Sequence, residues 1–91
     1  MAPPTSDEAA RRIADFIVSR LEYQGSVDDL LRPDPVKLTE AVDSAGLLEL
    51  ASFVEDSFDV TIPDDEIAPE TFATVADLVL LLRRKGAVAD A

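Results

Sequence analysis

Apolar side chains recur at intervals of three and four in three stretches of the chain. In the first, Ala10, Ile13, Ala14, Ile17 and Leu21 form one stripe, widened by Phe16 and Val18, as an amphipathic helix requires. Thr5 followed by Glu8 has the spacing of a capping box, and Asp7 and Glu8 place negative charge where the helix dipole favours it. The pattern predicts a helix from near Ser6 to about Tyr23, with Gly25 as its stop. A second helix is predicted to start at Ser44 or one residue later. Side chains set about 100° apart gather Leu47, Leu50, Ala51, Val54 and Phe58 on one core arc. Ala45, Leu48 and Ser52 fall on the flank beside Ser44, Glu49 and Asp56 lie further round, and Phe53 lies outside the arc with nothing in the pattern to cover it. In the third, Thr74 and Asp77 open a helix whose buried stripe is Val75, Leu78, Val79 and Leu82. Arg83, Arg84 and Lys85 suit its last turn, and Gly86 ends it.

The connections are less regular. Residues 24–42 contain Pro33 and Pro35, which disfavour a continuous helix. A loop of this length is uncommon in a compact domain unless it is tied down. Val27, Leu30, Leu31, Val36 and Leu38 can pin it, and Ser26 with Asp29 allows a short helical turn over 27–31. Residues 59–63 read as a linker with Val60 and Ile62 pointing inward. Asp64, Asp65 and Glu66 directly follow Pro63, and the cap and first turn of a short helix reaching Pro69 account for them without a metal ion. The expected fold is a single all-α domain over 1–91: a small antiparallel four-helix bundle of three longer helices and one short, with a long first loop. Residues 1–5 and 87–91 are expected to be flexible ends.

Composition narrows the chemistry. The chain has neither cysteine nor histidine, which removes disulfides, thiolate ligands, and the commonest general base and transition-metal ligand. An independent enzyme is not expected. No stretch approaches the roughly 18 apolar residues that span a bilayer, and the start lacks a basic region followed by an apolar run, so a soluble, cytoplasmic protein is expected. A net charge of −11 makes nucleic acid and anionic membrane poor partners. All eight basic residues lie outside 38–82, a segment that holds eleven of the nineteen acidic ones. Such acidity serves solubility, or it forms a docking face for basic partners.

Ser44 stands at the head of the second predicted helix, beside Asp43. Capping is the commonest task for a serine there. Leu48, one turn on and flanked by carboxylates, gives the same surface the look of a contact site.

The segment DSAGLLEL, followed by FVEDSFDVTIPDDEI and then TVADLVLLL, resembles in order the attachment motif, acidic second helix, third-helix start and fourth-helix opening of the phosphopantetheine-binding carrier-protein superfamily. Within it the chain is similar to acyl carrier proteins, in particular discrete carriers of specialised metabolism. The likeness covers 38–82 closely and the first helix by pattern. It implies that Ser44, with Asp43 as the adjoining motif residue, carries a covalent 4'-phosphopantetheine arm taken from coenzyme A by a separate magnesium-dependent phosphopantetheinyl transferase. It implies a docking face of Ala45, Leu48, Glu49, Ser52, Glu55 and Asp56 for acyl-loading, condensing or tailoring enzymes with basic patches, and a monomer. The chain departs from the family at Ala45, usually leucine, and at Gly46, a weak helix former in the first turn. An aminoacyl or peptidyl carrier of nonribosomal type, and a carrier-fold interaction domain without an arm, remain alternatives.

Overall fold

The computed structural model describes residues 3–21, 23–68 and 71–89. Its elements, in order, are α1 (Ser6–Arg20), α2 (Val27–Leu31), α3 (Leu38–Ala41), α4 (Ser44–Phe58), a 3₁₀ turn (Asp64–Glu66) and α5 (Val75–Arg84). Among the described residues there is no strand, and the fold is all-helical. Among the described residues no helix is long and apolar enough to cross a membrane.

Each long helix begins as its sequence dictates. The Thr5 hydroxyl accepts from the Glu8 N–H at 3.2 Å, and the Thr74 hydroxyl accepts from the Asp77 N–H at 3.2 Å while donating to the Asp77 carboxylate at 3.0 Å. These contacts satisfy N–H groups that the first turn leaves without a carbonyl. At the other end of α5, Gly86 takes φ of 80°, a left-handed geometry that costs a residue without Cβ little.

α1 stops at Arg20 rather than near Tyr23. The Tyr23 N–H returns to the Ile17 carbonyl at 3.4 Å, so the chain folds back over the helix end and Tyr23 packs against the core. Gly25 lies beyond this turn and does not end the helix. The long loop contains two short helices where the sequence suggests one. α2 forms with the reciprocal Ser26 and Asp29 cap. α3 is additional: Leu38 is fully buried, and its N–H donates to the Ala73 carbonyl at 2.8 Å. Tertiary anchoring therefore secures a helix too short to stand on local preference.

α1 packs against α2, α4 and α5, α2 also touches α5, and α3 lies on α4. The shared core includes Ile13, Ile17, Leu30, Leu50, Phe72 and Leu78, and among the described residues no polar side chain is buried in it. Leu47, expected in the core, is only half-buried. Phe53 is covered by Phe16, with ring centroids 4.2 Å apart and planes 15° from parallel. Of the linker pair, Ile62 is buried and Val60 half-buried. The carboxylates after Pro63 form the 3₁₀ turn rather than a longer helix, and Glu66 pairs with Lys85 at 2.8 Å. Pro69, where that helix was expected to end, lies outside the described residues. Residues 87–89, expected to be loose, make defined contacts: Val88 is buried, and the Ala89 N–H donates to the Pro4 carbonyl at 2.9 Å.

Candidate functional site

The residue that caps α4 is Asp43, not Ser44. Asp43 has extended backbone geometry, and its Oδ1 accepts from the Gly46 N–H at 2.8 Å. An aspartate is as good a cap as a serine and adds negative charge at the positive end of the helix. Ser44 is consequently the first helical residue, and its side chain is exposed. Its hydroxyl makes no hydrogen bond among the described residues, so capping does not explain it.

The backbone at Ser44 offers donors to an anion, while the side chains around it carry both signs of charge. The N–H groups of Ser44 and Ala45 have no intrahelical carbonyl to meet. α4 also has no acidic residue in its first turn, whereas α1, α2, α3 and α5 each carry at least one there. Within α4 itself, the Asp43 cap is the carboxylate that compensates this end of the dipole. A hollow of about 380 Å³ beside this turn is walled by Arg20, Val42, Asp43, Ala45, Gly46 and Glu49. Arg20 thus reaches the edge of a segment that has no basic residue of its own. Arg20 has no individual place in the sequence reading, because its proximity to α4 depends on how the two helices pack.

The rest of the predicted face divides. Ala45, Leu48, Glu49, Ser52 and Asp56 are all exposed. Leu48 is 58% exposed, a large apolar side chain left in solvent between Glu49, Ser52 and Ser44. Glu55 departs from the set: it is half-buried, and its Oε2 accepts from the Ile62 N–H at 2.9 Å. That bond ties the linker back to α4, so the carboxylate serves the fold. The α4 end is similarly specific, with Asp59 in the left-handed region at φ of 54°, which an aspartate tolerates better than most residues.

Residues outside the predicted set also shape the site. Val42 and Gly46 are buried side by side under the first turn of α4, and a Cβ built on Gly46 would lie 3.0 Å from the Val42 Cβ. The available sequence signal was the glycine itself, a poor helix former in a first turn. Set against known proteins, the chain matches no family model, no curated protein and no solved structure.

Proposed function

We propose that this chain is an acyl carrier protein, with Ser44 as the attachment point of a 4'-phosphopantetheine arm. The observation that carries the reading is the division of labour at the start of α4. Asp43 takes the cap, which leaves an exposed serine hydroxyl uncommitted on the first residue of a 15-residue helix. That also removes the main reason for an arm-free reading, in which Ser44 exists only to start the helix.

The residues present fit the group. A phosphodiester on Ser44 would sit where free N–H groups and the helix dipole favour an anion, with the Asp43 carboxylate of the cap as its neighbour on the chain. When bound, the arm supplies a thiol that holds an acyl group as a thioester. A serine hydroxyl without a base is a weak nucleophile, and the chain contains no histidine. The base therefore comes from the transferase, which joins the Ser44 oxygen to the arm's phosphorus as the nucleotide half of coenzyme A departs. The domain acts as a covalent holder for other enzymes and is not an enzyme itself. In this reading α1, α4, the 3₁₀ turn and α5 occupy the positions of the antiparallel four-helix bundle, and the protein works as a cytoplasmic monomer.

The exposed strip of Leu48, Glu49, Ser52 and Asp56 provides an apolar contact ringed by negative charge. It suits transferases and acyl-handling enzymes with basic patches, and salt screening slows such encounters. To test the reading, the protein is incubated with coenzyme A, magnesium and a promiscuous phosphopantetheinyl transferase, and intact masses are compared for wild type and Ser44→Ala. The wild type should gain one adduct and the variant none. No gain in the wild type, or an equal gain in both, overturns it.

A further inference from the structure

We propose that Val42 and Gly46 form a matched pair that positions Ser44: the missing side chain at 46 admits Val42 beneath the first turn of α4 and holds Asp43 and Ser44 in register. This inference rests on Ser44 being the attachment point. A Cβ on Gly46 would lie 3.0 Å from the Val42 Cβ, 3.3 Å from Asp43 Oδ1 and 3.6 Å from Val42 Cγ2. The first separation is well inside the roughly 3.5–4.0 Å optimum for carbon atoms. The second crowds the oxygen that accepts the Gly46 N–H at 2.8 Å. A larger residue therefore presses on the core neighbour and on the cap at once.

Val42 has its backbone tied down. It is 8% exposed, and its N–H donates to the Leu38 carbonyl at 2.9 Å. Leu38 is fully buried, and its own N–H is fixed to the Ala73 carbonyl at 2.8 Å. Behind Val42 stands a chain of contacts running to the segment that leads into α5. In the proposed pairing, with that backbone held, the strain passes forward, through the Asp43 cap to Ser44. The Ser44 hydroxyl makes no hydrogen bond among the described residues, so the backbone of the first turn alone places it.

Helix preference argues in the same direction. Alanine is the better helix former by a wide margin, so an unconstrained position in a first turn gains nothing from glycine. At 46 the lack of a side chain is needed for space, not for backbone freedom, because the residue has helical geometry.

The experiment is a double-mutant cycle with Gly46→Ala, Val42→Ala and the pair together. Two quantities are read under conditions where each protein is folded: kcat/KM for arm attachment by the transferase with coenzyme A, and hydrogen exchange of the residue 46 amide, which reports the Asp43 cap without any transferase. A 1 Å misplacement of reacting groups can cost about 100-fold, so a shift of a few tenths of an ångström is expected to slow attachment to Gly46→Ala several-fold. The same variant should lose amide protection, Val42→Ala should lose a smaller part of both because the first turn loses its support, and the double variant should do better than Gly46→Ala in both. Unchanged attachment and exchange in Gly46→Ala, or a double variant as impaired as the single one, overturns the pairing. If Gly46→Ala fails to fold, the double variant carries the test and must be folded and modified at close to the rate of Val42→Ala. A wild type that accepts no arm sinks the attachment reading instead, and the exchange measurements still decide the pairing.

Discussion

Replacing Asp43 and Ser44 separately distinguishes the cap from the free hydroxyl. Asp43→Ala removes the acceptor of a 2.8 Å hydrogen bond from Gly46, and loss of an N-cap costs about 0.5–2 kcal/mol. The upper part of that range applies, because Gly46 is buried and its N–H has no ready access to water. Loss of ~1.5–2 kcal/mol, at ~6 °C per kcal/mol for a domain of this size, lowers Tm by about 10 °C. Asp43→Asn keeps an acceptor oxygen and should lose only a few tenths of a kcal/mol, since asparagine caps about as well as aspartate. Ser44→Ala removes an exposed hydroxyl without a partner, so its effect should stay within about 0.5 kcal/mol, or ~3 °C. Thermal and urea unfolding followed by circular dichroism at 222 nm measure all three. If Ser44→Ala falls as far as Asp43→Ala, or Asp43→Ala is neutral, the assignment of the cap is wrong and the Ser44 hydroxyl is not free.

Phe53→Ala should lose about 2 kcal/mol, less than a fully buried phenylalanine because Phe53 is half-buried. Together with Phe16→Ala it should show a coupling of about 0.5–1.5 kcal/mol from the lost ring stack, measured in a urea double-mutant cycle. Truncation after residue 87 should cost about 1.5–2 kcal/mol, since it exposes the site filled by Val88 and removes the Ala89 to Pro4 hydrogen bond; unchanged unfolding would show that the end is loose. Glu49→Lys with Asp56→Lys should slow arm attachment at low salt and flatten its salt dependence while leaving Tm nearly unchanged. Glu55→Ala should do the reverse, losing about 1–2 kcal/mol as the Ile62 N–H loses its acceptor.

The long helices were legible because their signals are local. The Thr5 and Thr74 caps, the three-and-four spacing and the Gly86 stop all act within one or two turns, and the structure realises each of them. α3 escaped notice because four residues carry too little periodicity, and what secures it is a bond from Leu38 to Ala73, 35 positions away. The end of α1 moved for a related reason: Tyr23 gains more by folding onto the core than by extending the helix. Phe53 lay outside the core arc of its own helix, and only the packing of α1 on α4 supplies Phe16 as its cover.

At the candidate site, pattern alone placed Ser44 at the head of α4 and put Leu48 in solvent. It did not separate cap from first helical residue, because aspartate and serine cap equally well and stand side by side. Nor did it show that Glu55 turns toward Ile62, since the linker's return to α4 is a tertiary event. Gly46 was visible as an oddity of helix preference, and its close approach to Val42 emerged only with α3 in place.

The most direct test of the central claim is to locate the modification. After reaction with coenzyme A, magnesium and the transferase, the protein is digested and the peptide containing residues 42–58 is sequenced by tandem mass spectrometry. The account predicts a single phosphopantetheine on Ser44 and none on Ser52 or Ser57, which are also exposed on α4. An arm on either of those serines, or an unmodified peptide from a folded protein, would contradict it.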